Sequence, residues 1–317
     1  MNKFFLSDVS PFTKLIFSFF IILVVFFLIV IVGFVIAIPV FNIDISFDIA
    51  SLNNLSNPST IKLLKYFQSV YSIGLFIAPT FVIAYLINKN SIKYLNLNNI
   101  PAIKIIIISC LTMIVAIPVI NLMAEINSGI KLPDFFSGLE KKMKLTEENA
   151  GQITEVFLNV TNIKGLLVNL LVMAIIPAIG EELLFRGIIQ KLFIEWTKNI
   201  HWGIIIAAFI FSSLHFQFYG FIPRMIMGIF LGYLLVWYKS IWLPIIVHFI
   251  NNAFAILVYY FFKDKVLFEE FESVGTGSET WIYTIISISV VSAFILLLYR
   301  KKEIIERSVN LIGNRHL

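Results

Sequence analysis

The sequence predicts an all-α integral membrane protein of about eight transmembrane helices enclosing a polar cavity within the bundle. Composition is the first observation: of 317 residues, 59% are hydrophobic and 14% charged, and mean hydropathy is +0.92. Soluble domains are roughly 45–50% apolar. Second, the apolar residues fall into runs close to the ~20 residues that a helix needs to cross the hydrocarbon core. Third, the few ionisable residues inside those runs are confined to one contiguous part of the chain.

The runs are Leu15 to Ile38, Val70 to Ile87, Ala102 to Met123, Gly165 to Phe185, Gly203 to Phe218, Ile222 to Trp237, Trp242 to Phe262 and Trp281 to Tyr299. The first is too long for the apolar region of a signal peptide and lacks a small-residue cleavage site, so it is expected to remain as an anchor. The fifth and sixth are short and polar for spans, which leaves seven or eight. Lys and Arg collect on the cytoplasmic side of membrane helices. With eight spans and a cytoplasmic N-terminus, the inner segments run from Lys3 and Lys14 through Lys191 and Lys239 to Arg307 and Arg315, and hold 13 basic and 4 acidic residues. Both termini are therefore expected in the cytoplasm of a multi-pass cell-membrane protein.

The net charge of +5 is scattered between the spans, so no nucleic-acid partner is expected. Cys110, the single cysteine, reads as a packing residue in the third run. In "KLPDFFSGLEKKMKLTEENAGQITEVFLNVTN", Phe136, Leu139, Met143 and Leu145 recur among charges. This predicts an amphipathic helix at the interface, either a surface connection or a lid that captures substrate. "KDKVLFEEFESVGTGSET" reads as a solvated acidic loop.

An ionisable group at the bilayer centre costs on the order of 2.5–3.5 kcal/mol, so each needs a partner or a function. Those in or at the edges of the runs are Glu181, Glu182, Arg186, His215, Arg224 and His248, with Asn251 and Asn252 beside the last. Residues four apart share a helix face, so Glu182 and Arg186 are expected to form an ion pair. Glu181, rotated by about 100°, is left without a local partner, which suits a general base. Pro177 and Gly180 just before it are expected to loosen the helix. His248 and Asn252, also four apart, can together donate to a developing oxyanion, and His215 is available to share a water with Glu181. Zinc ligation by Glu and two His is the alternative way to activate water. Asn251 and Arg224 read as structural, with Arg224 snorkelling from a span end.

Three motifs carry a family resemblance. "EELLFRG" fits Glu-Glu-x-x-x-Arg, "FSSLH" fits Phe-x-x-x-His and "HFINN" fits His-x-x-x-Asn. In this order the region Leu166 to Tyr260 resembles the CAAX protease and bacteriocin-processing family of intramembrane endopeptidases. The resemblance implies that Glu181 and His215 activate the hydrolytic water, that Glu182 and Arg186 support the site, and that His248 and Asn252 form the oxyanion hole. It implies no cofactor, with zinc held by Glu181, His215 and His248 as the alternative. Its partners would be membrane lipid and a membrane-associated or prenylated-type protein substrate, cut near the cytoplasmic leaflet. The chain would then divide into N-terminal helices (1–164), a catalytic membrane core (165–262), and an acidic loop, last helix and basic tail (263–317). Two other classes compete: a non-catalytic membrane binding protein such as a bacteriocin self-immunity factor, and a proton-coupled transporter, against which the lack of internal repeats counts.

Overall fold

The computed structural model describes residues 5–6, 8–43, 54–130, 133–262, 270–271 and 273–313, with no side chain described beyond Glu303. Lys3, the side chains of Arg307 and Arg315, and residues 263–269 of the acidic loop lie outside that set. Among the described residues every regular element is helical, and all eight apolar runs become helix.

The first run becomes α1 (Pro11–Phe41) and the second α2 (Pro58–Ile87). The third breaks into α3 (Ile103–Val115) and α4 (Ile117–Ser128), bent by 44°. Ala116 marks the break, and Pro118 sits in the first turn of α4, where a missing N–H costs nothing. After an amphipathic α5 (Ser137–Leu158) come α6 (Ile163–Thr197), α7 (Ile200–Ser213), α8 (Phe221–Tyr238), α9 (Trp242–Phe261) and α10 (Trp281–Gly313). Six of these helices are long and apolar enough to cross a membrane, and seven if the bent pair counts as one span. The protein is a multi-pass membrane protein.

The expected fifth span is the one that falls short. At 14 residues, α7 rises about 21 Å, less than the ~30 Å hydrocarbon core. It ends at Ser213, and the chain turns back through 214–220 into α8. His215 therefore stands on a turn within the bundle rather than deep on a continuous span, which brings it to the level of groups on α6 and α9.

The longest span-forming unit at the site, α6, has 35 residues. It is expected to loosen at Pro177 and Gly180; it stays helical through both, and widens into π turns at Leu170–Ile175, directly before the Pro177 turn, and at Phe185–Ile189, after the Glu-Glu pair. Such turns insert a residue without breaking the ladder and recur at functional sites. Gly180 serves packing: a Cβ there would stand 2.9 Å from Cβ of Phe76 on α2.

The two ends of the bundle differ. One end gathers the start of α1, the loop after α2, the end of α6 and the α8–α9 turn. There Lys14 pairs with Glu195 at 2.8 Å, and Lys191 donates to Asn96 Oδ1 at 2.6 Å and to the Tyr94 carbonyl. Ser240 Oγ donates to Asn99 O at 2.5 Å. The other end holds α5 and the 214–220 turn. Asn127, buried on α4, fixes that turn by donating to Phe218 O at 2.6 Å and accepting from Ile222 N at 3.0 Å.

Helix α5 is amphipathic as expected. Its C-terminal end is tied down by buried Lys65, whose Nζ donates to Phe157 O at 3.0 Å and Asn169 Oδ1 at 2.6 Å. Leu139 and Met143 line, with residues of the 214–220 turn, an apolar cavity of about 400 Å³, and Leu139 is exposed there as Phe136 and Leu145 are elsewhere on the helix. The helix is thus both an anchored connection and a cover over the turn that bears His215.

Candidate active site

The neighbouring carboxylates of α6 have different surroundings. Glu182 is fully buried, and its Oε1 accepts from Arg186 Nη1 at 2.9 Å, the expected i,i+4 pair. The same oxygen accepts from His248 Nδ1 on α9 at 2.8 Å. Glu181, 12% exposed at its side chain, points from an adjacent face into a cavity of about 520 Å³. As expected it has no ion-pair partner on its own helix among the described residues, and across the bundle His248 Nε2 stands 3.8 Å from its Oε2. His248 therefore bridges the two carboxylates, with Nδ1 on the buried one and Nε2 towards the cavity.

Arg186 is held on three sides. Beyond Glu182, its Nη2 donates to Gly228 O on α8 at 3.1 Å, and its guanidinium lies 4.7 Å from the ring centre of Phe211. One turn along, Gln190 Nε2 donates to Gly232 O at 3.1 Å. Glycine lets both side chains approach closely: a Cβ would lie 3.3 Å from Arg186 Nη2 at Gly228, and at Gly232 it would lie 2.6 Å from Gln190 Oε1, which would have to move.

The Phe211 ring is a shared wall. Its centroid lies 5.0 Å from that of His215 and 6.2 Å from that of His248, edge-on to both. His215 Nδ1 faces the Phe211 carbonyl at 2.9 Å. A carbonyl only accepts, so Nδ1 carries the proton, and Nε2 of the neutral ring is a free acceptor. By the same logic, His248 Nδ1–H donates to Glu182, so its Nε2 carries a proton only when the ring is charged.

Asn252 is placed by a helix irregularity. Its Nδ2 approaches Met173 O at 3.5 Å, and in a regular α-helix that carbonyl would be bonded by N of residue 177, here a proline without an N–H. Its Oδ1 accepts from Asn251 at 3.2 Å.

Glu181, His215, His248 and Asn252 all line the 520 Å³ cavity, together with Pro177 and Phe211. Glu182 and Arg186 lie behind it. Two residues read as structural from the sequence, Arg224 and Asn251, also line it. Arg224 does not snorkel away: its Nη2 donates to Gln217 Oε1 at 2.8 Å. Its position as an ionisable residue four places into an apolar helix was the available signal. Gln68, another lining residue, lies just before the expected second run, because α2 begins at Pro58 rather than Val70.

The alternative expected from the sequence is zinc held by Glu181, His215 and His248. Among the described residues no group of three or more His, Cys, Asp or Glu side chains is gathered to hold a metal ion. The cavity also runs from mid-bundle towards the end that carries α5, not the end that carries the termini. With the termini in the cytoplasm, that is the far side from the cytoplasmic leaflet where cleavage was expected.

Residues 163–254 match the family model described as type II CAAX prenyl endopeptidase Rce1-like. The matched segment contains all three motifs and is consistent with the family resemblance read from them. It supports protease activity for a chain whose Rce1-like segment supplies α6, α7, α8 and most of α9. No curated protein and no solved structure matches the chain.

Proposed function

We propose that the protein is an intramembrane endopeptidase that hydrolyses peptide bonds of membrane-associated protein substrates. The observation that carries this reading is the convergence of Glu181, His215, His248 and Asn252 on one cavity of about 520 Å³.

In the proposed reaction Glu181 takes a proton from a water that His215 Nε2 orients, and the water oxygen attacks the scissile carbonyl. The oxyanion is met by the free Nδ2–H of Asn252 and by His248 Nε2–H in the imidazolium form. Each such donor is worth about 2.7–4 kcal/mol in other enzymes. Glu181 then passes its proton to the leaving amine as the C–N bond breaks, so no proton is gained or lost overall. Glu182 holds the His248 ring in place, and Arg186 neutralises Glu182 within the bundle. The cell membrane, with both termini cytoplasmic, is the proposed location, and the cavity then opens on the opposite side.

The test uses the full chain in detergent micelles with a quenched fluorescent peptide library, one half carrying an S-prenyl cysteine and the other not. Cleavage that Glu181→Ala and His215→Ala each reduce by at least about a hundredfold, and that survives EDTA, is the expected result. Undiminished cleavage by both variants would overturn the reading. Loss to EDTA with recovery on added zinc would overturn the metal-free form of it. A biological effect that persists in Glu181→Gln would favour the self-immunity alternative.

A further inference from the structure

We propose that Arg224 forms a carboxylate-binding subsite in this cavity, so that the peptide accepted is one presenting a carboxylate, at its chain end or on an acidic side chain. The proposal rests on the peptidase reading for the reaction but not for the binding.

Arg224 stands in the first turns of α8, on the cavity wall. Gln217 takes one edge of its guanidinium through Nη2 at 2.8 Å. The other terminal nitrogen, Nη1, is buried and has no acceptor among the described residues. A buried guanidinium donor without an acceptor is costly, and its planar fork matches a carboxylate with two parallel hydrogen bonds. Gln217 fixes the plane of that fork, so little is left to order when a ligand arrives.

The fold already directs carboxylates at this spot. The charges of Glu147 and Glu181 both act on Arg224. Neither is spent on it: Glu147 Oε2 accepts from Tyr219 N at 3.0 Å, and Glu181 faces His248. Glu147 belongs to α5, the helix that covers the turn, and its charge, which acts on Arg224, would compete with that of an arriving carboxylate. A peptide bound with its carboxylate on Arg224 lies in the same cavity as Glu181, with Gln217 continuing the wall into the apolar cavity lined by Leu139, Met143 and Phe216.

The test measures peptide binding by fluorescence anisotropy on the full chain in detergent, and cleavage of the same peptides. One pair of pools differs in a C-terminal carboxylate against a C-terminal amide. A second pair has Asp and Glu against Asn and Gln within the sequence. The expected result is a preference of about tenfold or more for the carboxylate member of one pair, and that pair identifies the source. Arg224→Gln should abolish the preference, Arg224→Lys should keep part of it, and Glu147→Gln should raise affinity for the carboxylate member a few-fold. Equal binding of both members of both pairs, or a preference that Arg224→Gln leaves intact, would overturn the proposal. Selective binding without cleavage would leave the subsite standing and count against the peptidase reading. Cleavage without selectivity would do the reverse.

Discussion

The two ends of α6 show what the same helix does under different neighbours. Towards the end that holds the termini, its polar residues are tied to the scaffold: Glu195 to Lys14, and Lys191 to Tyr94 and Asn96. Their partners lie on the first helix and the loop after the second, outside the segment that matches the Rce1-like model. Around residue 181 the polar partners come from α8 and α9 instead, and part of the polar surface is left to a cavity. Polar groups in a membrane bundle thus divide by where their hydrogen bonds end. Those met by partners within the protein hold the bundle, and those facing the cavity are available for chemistry.

Breaking the buried cluster should have the largest effect. Arg186→Met leaves Glu182 behind the cavity with His248 as its remaining partner and without its arginine, and removing one partner of a buried pair costs about 3–5 kcal/mol. Loss of thermal stability in detergent, with cleavage falling in parallel, is the expected result. A variant as stable as the parent would contradict a supporting role. Lys191→Met sharpens the comparison from the other end. It removes two hydrogen bonds from a charged donor at a part-buried position, where solvent screening holds each to about 1 kcal/mol, so the melting temperature should drop by less. The rate of cleavage per folded molecule should stay at the parental value. A specific loss of rate would break the division between the two ends.

Much of this was legible in the sequence. The eight apolar runs, the i,i+4 pair of Glu182 and Arg186, and the amphipathic character of α5 all follow from periodicity, which acts within a few residues. The missed features depend on other helices. Hydropathy marks the fifth run as short for a span but does not place its end at Ser213, because Leu214, Phe216 and Phe218 continue the apolar pattern. Nor does it reveal that Pro177 frees the Met173 carbonyl for Asn252, or that the helix widens into π turns rather than breaking. Arg224 was visible as an anomaly, but not its place on the cavity wall, because snorkelling explains any arginine near a span end. Its buried Nη1 appears only once α8 is packed. The bridging of Glu181 and Glu182 by His248 joins residues 66 apart, beyond any local pattern.

The proposed function gives the adjacent carboxylates separate tasks, with Glu181 working on the substrate side and Glu182 holding the site. The most direct test substitutes each with Gln and measures both melting temperature and turnover of a cleaved library peptide in detergent. Glu181→Gln should melt with the parent and turn over at least about a hundredfold more slowly, while Glu182→Gln should melt well below it. Parental turnover by Glu181→Gln, or a melting temperature lowered as far as that of Glu182→Gln, would contradict the account.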